Sequence, residues 1–298
     1  MTKYFELKGG LGNQLFQYFA GQNIARESDE RMVFILPNSR QHNQHVESSI
    51  LDLDLPRIVN TEFIDPQAGL MQFDRGRQWL SRKSEKSRLL FNRCSNTYVS
   101  GTIGFDPDLQ NFIGSSFFKG YFQSYRYVDA FREVLEFTLT PVRPSVKYIE
   151  YLSEIREKRP TVMHIRRGDY KYLKKTIGLL STDYYENSLN VVNEQSPDTP
   201  IWVFSDDLEG AQQIIQNLGV KFDKIVSPDL RLSAAETLIL MSEGSNKIIA
   251  NSTFSWWAAY LGSSGGEVIA PSPWYRTNSI NAELIPSNWN LIDSFWEN

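Results

Sequence analysis

Apolar positions change their spacing along the chain in a regular way. Tyr4 to Leu7 reads as a short strand, Gly9-Gly10-Leu11-Gly12-Asn13 interrupts it, apolar residues return at helical spacing from Gln14 to about Arg26, and Met32 to Leu36 is extended again. Strand, glycine turn, helix and strand open a βαβ unit. The second half repeats this order more clearly. Strands are predicted at 161–166, 201–204, 224–226, 247–250 and 267–270, and helices at 208–218, 234–243 and 254–261. Short apolar strands alternating with helices imply parallel pairing with both sheet faces covered. Ser233, three residues before Glu236, forms a capping-box pattern that marks the start of one helix.

Pro141, Pro144 and Pro160 surround a predicted helix from Val146 to Glu157 and mark a join. The pattern therefore predicts two Rossmann-like parallel-sheet α/β domains, 1–157 and 158–298, facing a cleft. Ligands of open parallel sheets bind beyond the carboxyl ends of the strands, so chemistry is expected there.

Composition narrows this. A chain of 298 residues is long enough for two domains, and 41% hydrophobic with 22% charged residues describes a folded protein rather than a disordered one. Thirty-one basic against 35 acidic residues leave a formal charge of −4, which excludes the broad positive field of a nucleic-acid-binding protein. Any anion site must be local. A single cysteine and three histidines argue against an internal disulfide and against a thiolate or poly-histidine metal site. The first residues lack the apolar core of a signal peptide, and no run approaches the roughly 18 apolar residues of a membrane span, so a cytoplasmic protein is expected.

Several segments carry candidate chemistry. In His164-Ile165-Arg166-Arg167-Gly168-Asp169-Tyr170, strand alternation puts His164 and Arg166 on one face and Arg167 on the other. A guanidinium at a strand's carboxyl end suits a phosphate, while Arg167 with Asp169 equally suits a structural pair. In Asn251-Ser252-Thr253-Phe254-Ser255-Trp256-Trp257, a strand runs into a helix whose N–H groups and hydroxyls favour an anion, although Ser and Thr also serve as ordinary N-caps there. The two tryptophans fit a core. In Phe204-Ser205-Asp206-Asp207, Asp207 reads as an N-cap, and Asp206 suits a base, a ribose or a metal. Gly9 to Asn13 lacks both the dinucleotide spacing and a P-loop lysine, but its glycines permit close approach to a ligand. Two Asp-x-Asp patterns, at 52–54 and 106–108, read as surface or turn residues in preference to metal ligands. The basic run from Arg75 to Arg93 reads as a solvated helix face, with contact to an anionic bilayer as the alternative.

Taken in order, Gly9-Gly10-Leu11-Gly12-Asn13-Gln14-Leu15-Phe16-Gln17-Tyr18, Gly120-Tyr121-Phe122-Gln123-Ser124, His164 to Tyr170, Phe204 to Asp207 and Asn251 to Trp257 resemble the α-1,2-fucosyltransferases of glycosyltransferase family 11. The resemblance implies a GT-B-like fold, GDP-β-L-fucose as donor, transfer with inversion to the 2-hydroxyl of a terminal galactose, no metal and no other cofactor. It also implies that the His-x-Arg-Arg-x-Asp block serves the donor diphosphate. On this reading 1–157 is the acceptor-side domain and 158–298 the GDP-sugar-binding domain, with the acceptor an oligosaccharide of bacterial surface-glycan type. Preorganised donors aimed at the charge growing on departing GDP would supply the main catalytic effect. Arg166 is expected to neutralise the β-phosphate with Ser252, Thr253, Phe254 and Ser255. His164 and Asp206 would hold the nucleoside, with Ser205 a further substrate-binding residue and Gly10 and Gly12 giving backbone approach. For the acceptor hydroxyl, Asp169 is a candidate base and Asn13 a candidate orienting group. The alternatives are an α-1,6 or protein O-fucosyltransferase, a non-catalytic GDP-sugar sensor or glycan-binding module, and recruitment to the inner membrane face for a lipid-linked acceptor.

Overall fold

The computed structural model describes residues 2–37, 50–56, 60–65, 84–133, 139–262, 266–277 and 283–297. They form two compact units. The first comprises Met1–Leu51, Leu55–Thr138 and Asn281–Leu284; the second comprises Asp52–Asp54, Leu139–Ile280 and Ile285–Asn298.

The first unit contains β1 (Thr2–Glu6), α1 (Leu11–Ser28) and β2 (Arg31–Ile35), and after β3 (Leu53–Asp54), which belongs to the second unit, β4 (Thr61–Ile64), α2 (Glu85–Cys94), β5 (Thr97–Val99), β6 (Phe117–Lys119) and α3 (Arg126–Asp129). Its five-stranded sheet has the order β4-β2-β1-β6-β5 and is parallel throughout. Phe5, Phe34 and Phe118 from the sheet and Leu15, Phe16 and Phe19 from α1 are wholly buried. Each such side chain removed from water contributes roughly 1.5–3 kcal/mol. α1 approaches so closely that a side chain at Gly21 would strike the Phe34 ring.

The second unit contains β7 (Thr140–Pro141), which pairs antiparallel with β3, then α4 (Val146–Lys158), β8 (Thr161–Ile165), α5 (Tyr170–Leu173), α6 (Thr182–Gln195) and β9 (Ile201–Ser205). α7 (Leu208–Leu218), β10 (Lys224–Val226), α8 (Ala234–Ser242), β11 (Lys247–Ile248), α9 (Thr253–Leu261), β12 (Val268–Ser272) and β13 (Asn290–Asp293) follow. Its six parallel strands take the order β10-β9-β8-β11-β12-β13. The chain thus builds outward from β8 to β10, returns past β8, and builds the other way from β11. The reversal lies between β8 and β11, where ligands of such sheets bind. β1 and β6 stand at the corresponding reversal of the first sheet.

The two parallel α/β units agree with the expected fold class. The α4 helix, which the sequence assigns to the side before the 157/158 division, packs on the second unit: Arg156 pairs with Glu243 at 2.6 Å, and the Tyr151 ring meets Trp202 edge-on at 6.0 Å. Ser233 and Glu236 form the predicted capping box, and Glu236 also accepts a hydrogen bond from the Ser145 N–H. Trp256 and Trp257 are wholly buried, as expected of core residues. Asp106 is consumed internally, accepting from the Tyr98 hydroxyl at 2.7 Å and the Ser100 hydroxyl at 2.5 Å. Of the basic run, Lys86, Arg88 and Arg93 lie on α2, while Arg75, Arg77, Arg82 and Lys83 lie outside the described residues. No described helix is long and apolar enough to cross a membrane.

Candidate active site

The three candidate segments of the second unit converge at the β8/β11 reversal because each leaves the carboxyl end of a neighbouring strand. Register places Ile165 opposite Ser205 and Met163 opposite Ile248, so the loops after β8, β9 and β11 lie side by side. Arg166 is the first residue beyond β8. Its Nη2 donates to Asp169 Oδ1 at 2.6 Å, its Nη1 lies 2.9 Å from Asp206 Oδ2, and its Nε has no partner in the described structure. Its guanidinium carbon stands 5.1 Å from the centre of the Tyr170 ring, and the Tyr170 hydroxyl donates to the Asn251 carbonyl at 3.2 Å. Tyr170 therefore ties the β8 loop to the β11 loop while its ring supports the cation. Burial works against the charge of Arg166, but Asp206, Tyr170 and Asp169 outweigh it and raise its pKa further.

Arg167 turns the other way, as alternation requires, but not onto Asp169. Its two terminal nitrogens grip both carboxylate oxygens of Glu297, and Asp207 lies 4.0 Å from its Nε. The expected Arg167–Asp169 pair is corrected: Asp169 belongs to Arg166. Asp206 accepts from the Arg167 backbone N–H at 2.9 Å, which orients its other oxygen toward Arg166. Gly168 makes this approach possible, since a Cβ there would overlap Asp206 Oδ2. Asp207 caps α7 as predicted, accepting from Gly210 N–H, and its other oxygen sits 2.6 Å from Lys171 Nζ.

His164 is 4% exposed, with Nδ1 unpartnered among the described residues and its ring 6.1 Å from that of Phe254. Burial, with Arg166 nearby, pushes its pKa down to about 3, so the imidazole is neutral at ordinary pH. Tyr170 is pushed up to about 12, chiefly by burial.

Two expected ligand hydroxyls turn inward. Ser205 donates to the Ile165 carbonyl at 2.7 Å and accepts from Asp207 N–H, tying the end of β9 to β8. Ser255 is wholly buried and donates to the Ala250 and Ser252 carbonyls, both at 3.2 Å. These two hydroxyls brace the loops. Ser252 caps α9, accepting from Phe254 N–H at 3.3 Å, and Thr253 and Phe254, partly exposed, form the first turn. An anion at that turn would be favoured by the helix dipole.

In the first unit the glycine turn after β1 meets the Gly120–Ser124 segment after β6. Gly9 adopts φ +76°, and a Cβ there would collide with the Asn13 amide; Gly10 precedes α1, whose first turn holds Gly12. Asn13 Oδ1 accepts from Gln123 Nε2 at 2.9 Å, Gln14 Nε2 donates to the Gly9 carbonyl at 2.8 Å, and Gln17 bridges Lys8 N–H and the Gly120 carbonyl. Gln123, Tyr170 and Glu297 are the contributors that sequence reasoning did not single out. The first two lie inside quoted segments, whereas Glu297 stands 130 residues from its partner and carries no local signal.

A family model described as "Glycosyl transferase family 11" matches residues 3–293. The chain is 30% identical over 292 residues to an alpha-1,2-colitosyltransferase of Escherichia coli, covering 96% of this chain and 97% of that one. It is 27% identical to the O-antigen biosynthesis glycosyltransferase WbnK of Escherichia coli, covering 96% and 99%. Among solved structures, the fucosyltransferase NodZ from Bradyrhizobium superimposes with a TM-score of 0.49 at 11% identity, over 87% of this chain and 93% of that one.

Proposed function

Since this chain belongs to glycosyltransferase family 11, we propose that it is an inverting α-1,2-fucosyltransferase, moving L-fucose from GDP-β-L-fucose to the 2-hydroxyl of a terminal galactose on an oligosaccharide. The observation that carries this reading is Arg166, a part-exposed guanidinium at the β8/β11 reversal, steered by two carboxylates and carried on the strand that neighbours β11, from which the chain runs into α9. In the transfer step the acceptor oxygen bonds to the anomeric carbon as the bond from that carbon to the β-phosphate oxygen breaks. The electron pair leaves with GDP. Arg166 and the N–H groups of the α9 turn offset the charge that grows there, the role a divalent ion fills in other transferases. Asp169 takes the proton of the acceptor hydroxyl, and a loose, oxocarbenium-like transition state lessens the demand on it. His164, neutral and buried, and Asp206 border the nucleoside, and Asn13 hydrogen-bonds the acceptor sugar.

One observation favours a second donor. The relative at 30% identity is named an alpha-1,2-colitosyltransferase, and colitose is L-fucose without its 3-hydroxyl, so the same displacement serves either sugar. The test is incubation with labelled GDP-fucose or GDP-colitose and a panel of β-galactosides, with and without chelator, followed by linkage analysis. An α-1,2-fucosyl product that persists in chelator is expected. An α-1,6 product, an exclusive use of GDP-colitose, or stabilisation by GDP without any transfer would each replace the reading.

A further inference from the structure

Arg166 is shared between two carboxylates that are held very differently. Asp206 is 24% exposed and anchored from behind by the Arg167 N–H, with Gly168 pressed against it. Asp169 is 51% exposed, reaches Arg166 through one oxygen alone, and touches only Nη2, leaving Nε without a partner. The other acidic side chains of the cluster have their own cations: Asp207 has Lys171, and Glu297 has Arg167. One guanidinium facing two carboxylates leaves its surroundings net anionic, which opposes a diphosphate. A phosphoryl group gripping a guanidinium takes two N–H groups at once, whereas Asp169 uses one.

We propose that Asp169 is a displaceable counter-ion: donor diphosphate replaces it on Arg166, and the released carboxylate becomes the base for the acceptor hydroxyl. The inference rests on the donor site proposed above and adds its order of events. Without the nucleotide Asp169 is engaged on Arg166. When the diphosphate arrives, the Arg166–Asp169 pair opens, Asp206 keeps the guanidinium aimed, and the freed carboxylate stands beside the sugar nucleotide. Base and donor then appear together, so an acceptor hydroxyl is not activated in the absence of fucose to receive it.

The two carboxylates predict opposite signs. GDP affinity is measured by calorimetry on the full chain for the native protein, Asp169→Asn, Asp169→Ala and Asp206→Asn, with thermal melting as the folding check. Removing a competing exposed carboxylate should tighten GDP about fivefold in both Asp169 variants, in keeping with the modest strength of exposed ion pairs. Turnover with a galactoside acceptor should fall in the same proteins. Asp206→Asn should weaken GDP, because the guanidinium loses its aim. Asp169 variants that bind GDP as well as or less well than the native protein would overturn the exchange while leaving the donor site standing. A native protein that does not bind GDP would overturn both.

Discussion

Replacing Arg166 by alanine should separate catalysis from folding. The guanidinium makes two charge-assisted contacts, 2.6 Å to Asp169 and 2.9 Å to Asp206, and is 28% exposed. Buried charged hydrogen bonds are worth about 1.5–3 kcal/mol each, but exposed pairs contribute about 0–1, and this site lies between the two. Asp206 keeps its bond from the Arg167 N–H in the variant, so it is not stranded. The stability loss should therefore be about 1–2 kcal/mol, a fall of roughly 2–8 °C in melting temperature for a unit of this size. The catalytic loss should be larger. Removing a preorganised donor from a developing oxyanion costs about 10²–10³ in rate, or roughly 2.7–4 kcal/mol. Circular dichroism with a melting curve gives the first quantity, and initial rates of labelled fucose transfer at saturating acceptor give the second. An Arg166→Ala protein that melts within this range yet transfers fucose within tenfold of the native rate would refute the assignment of Arg166 to the leaving diphosphate.

Three further outcomes follow from single contacts. Gly168→Ala places a methyl group against Asp206 Oδ2, so GDP affinity should fall several-fold with little change in melting temperature; unchanged affinity would show that the Asp206–Arg166 contact does not govern the donor site. His164 carries a folded pKa of about 3 against about 6.5 unfolded. A depressed folded value means the unfolded chain takes the proton first, so this residue's contribution is full above about pH 6.5 and drains away between 6.5 and 3. Lowering the pH from 7 to 5 should cost about 2 kcal/mol more in the native protein than in His164→Gln, and equal slopes in denaturant titrations would reject the buried neutral imidazole. Gln123→Ala removes the bond that fixes the Asn13 amide; the KM for acceptor should rise several-fold while GDP binding, read by calorimetry, stays as it was.

What could be read from the sequence was what local chemistry decides. The α7 helix and β10 match their predicted ranges, and the Ser233 and Asp207 caps form as expected, because a cap and an apolar run act within a few residues. The α6 helix carries a weaker signal: its buried residues Tyr184, Tyr185, Ser188, Leu189 and Val192 recur at helical spacing, but five Asn, Gln or Ser positions among its fourteen residues dilute the apolar pattern. The charged cluster shows the same division. Alternation correctly sent the Arg166 and Arg167 side chains to different partners, but Asp169 three residues away looked as suitable for Arg167 as for Arg166, and Glu297 is brought in by the fold alone. A hydroxyl at a loop is legible in the sequence while its direction is not: those of Ser205 and Ser255 donate to the carbonyls of Ile165 and Ala250.

The ends of the two sheets differ in chemistry, and under the proposed function that difference predicts a division of labour between them. Around the β1/β6 reversal stand the amides of Asn13, Gln14, Gln17 and Gln123, bonded to one another or to backbone, with Lys8 lying over the Tyr121 ring at 4.2 Å. Around the β8/β11 reversal stand Arg166, Arg167 and Lys171 with Asp169, Asp206, Asp207 and Glu297. Amides both donate and accept and carry no charge, which suits the hydroxyls of a neutral sugar; a fixed guanidinium fork suits a diphosphate. If the acceptor is read by the first group and the donor by the second, substitutions near Gln123 should change which galactoside is used without changing the nucleotide. Substitutions near Asp206 should do the reverse. A single residue in either group that altered both preferences together would mean that the division of labour does not run between the two sheets.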